Sequence, residues 1–377
     1  MPTRDISDVL VLGAGPAGLA AAAFARAKAL SVTLVDRADA VSSSRRLEWI
    51  HPQTYDRLKA IGVRRADVSA GLINTVRFVE LAQGRSGTIP IDPPVDLVAT
   101  DLLLERLRAA AESSGADLRF STEIAHVGPE EEVVALTSTS GATYRGRFLI
   151  AADGHEAWAA RQLGICGRAR SDGEACCHEY SWMGRSTRTA QPLVSGGELV
   201  LVLAPAQPLS FGFVWRGADR VAAGWVSDPA DIGGQGSFIR FLMRCVDGGV
   251  LPVDLPIDPR EVFDRPVPRG VALDLETHVG KRSVVIGDAG GFVAALSQQG
   301  LLPAIWSASL AVETCAEAME SSQPQDALAE FDRRWREEMV TFLRLPNVDL
   351  RFVLPLVFSN SRMATKMARA FLLGENF

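Results

Sequence analysis

The stretch from Val9 to Asp36, VLVLGAGPAGLAAAAFARAKALSVTLVD, leaves this chain little freedom of fold. The apolar run Val9 to Leu12 predicts a buried strand, and Gly13-Ala14-Gly15-Pro16-Ala17-Gly18 turns the chain. An alanine-rich helix then runs to about Ala27, and a second apolar run, Ser31 to Val35, ends in Asp36. Strand, glycine turn, helix, strand and acid in this order build a dinucleotide site. Gly13 permits the tight turn, Gly15 lets a pyrophosphate approach bare backbone, and Gly18 lets helix and strand pack closely. The helix N-terminus faces the phosphates, and Asp36 stands where a carboxylate accepts the hydroxyls of a ribose.

Further along, Leu47 to Val63 starts extended as far as Pro52 and becomes a helix that stops at Gly62. Thr75 to Leu81 alternates as a strand, and Thr88 to Ile91 pairs back as a short hairpin. An amphipathic helix is predicted from Asp101 to Ser114, then a meander through Val133 to Thr137 and Ala142 to Tyr144, then a buried strand, Phe148 to Ala152, ending in Asp153-Gly154. Residues 173–265 differ in texture. Strand-like runs at Leu199 to Leu203, Phe211 to Trp215 and Arg220 to Val226, with a helix at Gly236 to Cys245, predict an antiparallel sheet inserted between two parts of the nucleotide unit. The strand Arg282 to Ile286 then runs into Gly287-Asp288-Ala289-Gly290-Gly291, and a long apolar helix follows Gly300. The tail predicts helices at Ala327 to Phe342 and Ser361 to Leu372, with Leu350 to Phe358 as a buried strand or, alternatively, a lipid contact.

The expected architecture is therefore α/β. A Rossmann-like nucleotide domain with a parallel sheet and a β meander takes residues 1–172 and 266–320, an antiparallel substrate domain takes 173–265, and a C-terminal helical segment takes 321–377. A net charge of −6 argues against nucleic acid as a partner. Five cysteines without ligand spacing support neither a disulfide framework nor a metal site, and no apolar run is long enough to span a membrane. Cys176, Cys177 and His178 are adjacent, and neighbours in an extended segment point to opposite faces, which disfavours shared ligation. A soluble, cytoplasmic protein is expected.

Three motifs now stand in one order: GAGPAG with Asp36, AADG at Ala151 to Gly154, and GDAGG at Gly287 to Gly291 followed by Gly300. Together they resemble the FAD-dependent oxidoreductases of the group that includes aromatic hydroxylases, flavin halogenases and geranylgeranyl reductases. The resemblance implies a glutathione reductase-type FAD-binding fold with FAD bound extended, its ADP end on the first glycine turn. It assigns to the cofactor Gly13, Gly15, Pro16, Ala17, Gly18, Asp36, Arg37, Arg45, Asp153, Gly287, Asp288, Gln299, Gly300 and Leu301. Asp288 takes the role of the acid that accepts from the ribityl chain. Gln299-Gly300-Leu301 opens the helix under the isoalloxazine ring, with Gln298 in place of the first glycine of a Gly-x-Gly-Ile sequence.

Between these subfamilies, GDAGGFVAAL lacks the histidine and proline of the hydroxylases and is most similar to the geranylgeranyl reductase form. Pro208 to Arg216 is a degenerate match to the aromatic substrate motif of those reductases, which makes Phe211, Phe213 and Trp215 the expected pocket residues. Halogenation is disfavoured because no lysine lies between Lys59 and Lys281.

Flavin carries the redox step in such proteins, and the chain supplies binding, orientation and electrostatics. Candidates for proton handling are His51, Glu48 and His178. The expected function is an FAD-dependent oxidoreductase, monooxygenase or reductase, acting on a largely apolar small molecule, with NAD(P)H as a transient reductant. Saturation of a prenyl chain and flavin binding without turnover are the alternatives.

Overall fold

The computed structural model describes residues 6–40, 46–165, 176–185, 197–203, 210–217, 220–227, 234–268 and 270–376. The first half of the chain runs β1 (Ser7–Leu12), α1 (Pro16–Ala27), β2 (Val32–Val35), β3 (Leu47–Ile50), α2 (Pro52–Lys59), α3 (Arg65–Val68), β4 (Ser69–Glu80), β5 (Arg85–Ala99), α4 (Thr100–Ser113) and β6 (Asp117–Arg119). Next come β7 (Ile124–Pro129), β8 (Val134–Ser138), β9 (Thr143–Ala151), α5 (Trp158–Gln162), β10 (Cys176–Arg185), β11 (Gly197–Leu203), β12 (Phe211–Arg216), β13 (Arg220–Ser227) and α6 (Gly234–Asp247). The remainder is β14 (Phe263–Pro268), β15 (Val279–Gly280), β16 (Ser283–Val285), α7 (Leu301–Glu320), α8 (Pro324–Leu343), α9 (Leu350–Val353) and α10 (Ser361–Leu373).

The first sheet has the order β15-β16-β9-β1-β2-β6, with β7 and β8 added to β9 as a meander. From β16 to β6 its strands are parallel. A parallel sheet is covered on both faces, which is why β1 is apolar throughout from Val9 to Leu12. On one face Val9, Val11, Leu34 and Ile150 pack against α1, α4, α7 and α8 through Leu19, Leu107, Ile305 and Trp335. On the other, Leu10, Leu12 and Leu149 pack beneath Val134 and Leu136 of the meander and against α5. Each fully buried aliphatic side chain contributes about 1.5–3 kcal/mol. Close packing of α1 on β1 depends on Gly18, where a Cβ would stand 1.9 Å from the carbonyl oxygen of Gly13.

The second sheet runs β14-β10-β13-β12-β11-β4-β5-β3. All its pairings are antiparallel except β11 with β4. One face is covered by α6 through Phe238 and Leu242. The other face carries Trp49, Ile73, Phe78, Leu199, Phe211 and Phe213, covered by the C-terminal segments through Leu354, Met367 and Phe371.

Three expectations are corrected here. The second sheet takes β3, β4 and β5 from residues 47–99, a stretch the sequence assigns to the nucleotide unit, so it is not confined to 173–265. The hairpin is much longer than Thr75 to Leu81 with Thr88 to Ile91: its prolines sit where the ladder shifts register between Ile73↔Val95 and Thr75↔Pro90, so β5 resumes beyond them. Leu350 to Phe358 is helical rather than extended, α9 continuing into a 3₁₀ turn, with Asp349 accepting from the N–H of Arg351 as its cap. Leu350, Leu354 and Val357 recur on one side of that helical segment, and all three are buried.

Candidate functional site

A cavity of about 310 Å³ opens between the two helix starts that the glycine motifs create. Helix α1 begins at Pro16 behind Gly15, α7 begins at Leu301 behind Gly300, and neither start has a side-chain cap. Unbonded backbone N–H groups at two helix N-termini make an anion site. A Cβ at Gly15 would meet nothing within 4 Å, so this position opens on the cavity. At Gly13, with φ of +106°, a Cβ would stand 2.3 Å from the carbonyl oxygen of Ala152. The glycine there serves the turn, and the one at 15 serves the space.

Most of the predicted cofactor residues come together. Gly15, Pro16, Ala17, Asp36, Asp288, Gly300 and Leu301 line the cavity. Gly13 and Gly18 lie behind it and shape the turn, and Gly287, with φ of +56°, packs on Ala17. Arg37 and Asp153 line an adjoining cavity of about 320 Å³ that shares Gly15 and Asp36. There Arg37 pairs with Glu156 at 3.1 Å across the surface. Asp36 accepts from the backbone N–H of Ala14 and, at 2.7 Å, from that of Ala38. The acid thus ties the end of β2 to the glycine turn, and a carboxylate has lone pairs left for a ligand. Arg45 lies outside the described residues.

Beside the main cavity is a second, inner pocket of about 30 Å³, walled by Leu47, Trp49, Phe211, Phe213, Val226 and Gln299, and sharing Glu48 and Gln298 with the main one. Gln299 faces this pocket rather than the main cavity, and its Nε2 donates to the carbonyl oxygen of Trp49 at 3.2 Å. Gln298 adopts φ of +55°, the left-handed region that favours glycine, at the position where the resemblance expects one. Phe211 and Phe213 stand in the wall of this inner pocket. Trp215 does not: its ring lies over the backbones of Gly71, Gly197 and Gly217, and its Nε1 donates to the carbonyl oxygen of Leu72 at 3.3 Å.

At the junction of the two cavities stands a charge cluster that the sequence does not reveal. Arg46 bonds the carboxylate of Glu48 and lies 3.4 Å from that of Glu179 on β10. The Arg46 and Glu179 residues are each 8% exposed. Thr100 donates to Glu48 at 3.3 Å. Two carboxylates around one guanidinium at low dielectric are expensive to assemble, and such groups concentrate where function needs them. Among the described residues, the Nε of Arg46, the Nε1 of Trp49 and the Oε1 atoms of Gln298 and Gln299 are buried without a hydrogen-bond partner. Four lining residues thus hold buried polar atoms that the described protein groups leave without a partner.

The other proton-handling candidates separate. His51 caps α2, its Nδ1 accepting from the N–H of Gln53 at 3.1 Å, and its ring meets Phe342 edge-on. It lines neither cavity. His178 pairs through its backbone with Ser227 and Pro266, and its side chain lies outside what is described. Cys245 and Cys315 are buried thiols pushed up to about 12 by desolvation, which makes them unreactive. Among the described residues no His, Cys, Asp and Glu cluster fits a metal, and no helix is long and apolar enough to cross a membrane.

The donor set fits FAD: two helix starts for a diphosphate, Asp36 at one end, Asp288 at the other, and bare glycine backbone between. Comparison with known proteins agrees. The 6-methylpretetramide 4-monooxygenase of Streptomyces rimosus is 27% identical over 266 residues, 65% of this chain and 46% of that protein. The menaquinone reductase of Mycobacterium tuberculosis is 30% identical over 174 residues, 44% of this chain and 41% of that protein. The chain thus spans less than half the length of either relative. Among solved structures, a geranylgeranyl bacteriochlorophyll reductase-like protein from Thermoplasma acidophilum shares the fold, with a TM-score of 0.76 over 97% of this chain and 96% of its own at 18% identity. The family model described as an FAD binding domain matches residues 6–220. With that match over more than half its length, the chain belongs to the FAD binding domain family.

Proposed function

We propose that this protein is an FAD-dependent oxidoreductase, a monooxygenase in the first instance, acting on an apolar, aromatic small molecule. The observation that carries the reading is the meeting of two cavities at Glu48 and Gln298, one framed by helix N-termini and the other walled by Trp49, Phe211 and Phe213. The monooxygenase relative supports an aromatic substrate, and the menaquinone reductase relative supports reduction of a quinone as the second reading. NAD(P)H is the proposed transient reductant. The free thiols Cys245 and Cys315 accord with a reducing cytoplasm.

FAD, when bound, supplies hydride acceptance and oxygen activation. The N–H groups at the start of α7 favour negative charge placed against Gly300 and Leu301. Aromatic walls orient a flat apolar molecule and exclude water. In this reading Glu48, held by Arg46 and Thr100 at the junction, takes a proton from a substrate hydroxyl.

Anaerobic mixing of the FAD-loaded protein with NADPH and with NADH tests the reading. Bleaching of the flavin bands followed by rapid reoxidation in air supports a monooxygenase, and bleaching with reoxidation only by an added quinone supports the reductase. Flavin that neither nucleotide bleaches contradicts both.

A further inference from the structure

His278 is fully buried and faces neither cavity. Its Nε2 lies 2.9 Å from the carbonyl oxygen of Gly290, and its Nδ1 lies 3.5 Å from Oδ1 of Asp332 on α8. A carbonyl oxygen only accepts, so Nε2 carries the proton that joins the ring to Gly290. The ring is enclosed by Phe292 and Trp335, with centroids at 4.7 and 4.9 Å.

Asp332 is itself firmly held. It accepts from the N–H of His278 at 3.0 Å, the hydroxyl of Thr277 at 2.5 Å and the indole N–H of Trp335 at 3.1 Å, with Arg336 at 3.3 Å. Burial by itself raises the pKa of this carboxyl, but hydrogen bonds from His278, Thr277 and Trp335 overcome that and hold it well below the usual carboxylate range. Asp332 is therefore a fixed negative post that anchors His278 through its backbone N–H, with the ring lying beside it.

What the ring supports is the turn that carries Asp288 into the cofactor cavity. Gly290 ends the 3₁₀ turn Gly287–Gly290, and a Cβ at Gly290 would stand 3.0 Å from Cδ2 of His278 and 2.6 Å from the Phe292 ring. The turn rests directly on these rings. At its other end, the N–H of Gly287 donates to the hydroxyl of Ser307 on α7 at 3.1 Å. The cofactor turn is thus suspended between α7 and, through His278 and Asp332, α8.

We propose that His278, oriented by Asp332, is a positioning residue for FAD, fixing the Gly287–Gly290 turn from behind and so setting how tightly the cofactor is held. The inference rests on the assignment of FAD to the main cavity. Losing the Nε2 donor leaves the carbonyl of Gly290 buried and unpaired, and the turn then relaxes away from the geometry that presents Asp288.

The test uses the full chain with FAD as the probe. His278→Phe keeps a ring among Phe292 and Trp335 but removes the donor, His278→Gln restores an N–H, and Asp332→Asn weakens the orienting post. The dissociation constant for FAD is read from flavin fluorescence on titrating apoprotein, beside the melting temperature of each apoprotein. His278→Phe is expected to weaken FAD binding about tenfold, the effect of one buried hydrogen bond. His278→Gln should recover part of that loss, and Asp332→Asn should lose less. The double variant, His278→Phe with Asp332→Asn, should be no weaker than His278→Phe alone because the acid acts through the ring. Losses that multiply in the double variant, or wild-type affinity in His278→Phe, overturn the relay. Should His278→Phe fail to fold, unchanged affinity in Asp332→Asn overturns it equally. Wild-type protein that takes up no FAD overturns the cofactor assignment itself, a result distinct from a wild type that binds beside variants that bind equally well.

Discussion

Phe371 of the C-terminal helix stands edge-on to Phe211 of the second sheet, with ring centroids 4.8 Å apart. It also tilts over Trp49 at 5.8 Å, and Trp49 in turn meets Phe213 edge-on at 5.5 Å. Rings from the start, middle and end of the chain therefore fill the space beside the cofactor cavity. The room left, about 30 Å³, admits no more than a water or two. A substrate of the proposed class needs several hundred Å³. Its entry requires these rings to give way.

Replacing Phe371 with alanine should therefore act in two ways. Stability should fall by about 3–5 kcal/mol in urea unfolding, as for other buried aromatic truncations. The apolar space created should take up benzene, seen as a rise in melting temperature that the wild type does not show. A variant with wild-type stability and no response to benzene contradicts the packing described.

Arg46 is bonded to both Glu48 and Glu179. Arg46→Met removes the buried guanidinium that joins these two carboxylates. It should cost about 3–5 kcal/mol in urea unfolding at neutral pH. Glu48→Gln should cost less, because the Arg46–Glu179 pair survives it. Arg46→Met costing under about 1 kcal/mol, the worth of an exposed pair, contradicts a buried cluster.

His51 makes stability depend on pH. Burial pushes its imidazole below the ordinary value, against a smaller opposing effect of a backbone hydrogen bond to Leu373. The folded chain thus favours the neutral ring, whose Nδ1 accepts from Gln53. This contribution is complete above the unfolded value, about 6.5, and is lost as pH falls through the lower folded value. The melting temperature should drop between pH 7 and pH 5 more steeply in the wild type than in His51→Asn, which keeps a capping acceptor but does not titrate. Equal slopes contradict it.

The parts of the site legible in the sequence are those where local geometry dictates residue type. Gly13 and Gly18 each answer a steric demand visible in the fold, Gly15 opens on the cavity, and Asp36 and Asp288 follow buried strands at its wall. Alternation placed Phe211 and Phe213 on one strand face, and both reach the pocket, but the same alternation placed Trp215 with them. Its fate depends on Gly71 and Gly197, far off in sequence, whose bare backbones admit its ring. Arg46 reads as the end of a polar loop, since nothing local marks its pairing with Glu179, which lies across the second sheet. The membership of β3 to β5 in that sheet is hidden for the same reason: strand pairing across such separations leaves no periodic trace. Pro90, Pro93 and Pro94 further disguised β5 as a turn.

The most direct test of the central claim, that FAD lies against Gly15 between the starts of α1 and α7, is FAD titration of the wild type and Gly15→Val. Gly15 has extended backbone that valine adopts, and a Cβ there meets no protein atom within 4 Å. The added side chain enters only the space assigned to the cofactor. The account predicts about one FAD per wild-type chain, and a Gly15→Val protein that melts like the wild-type apoprotein and stays colourless. A wild type that takes up no FAD, or a Gly15→Val variant that binds it with wild-type affinity, would contradict it.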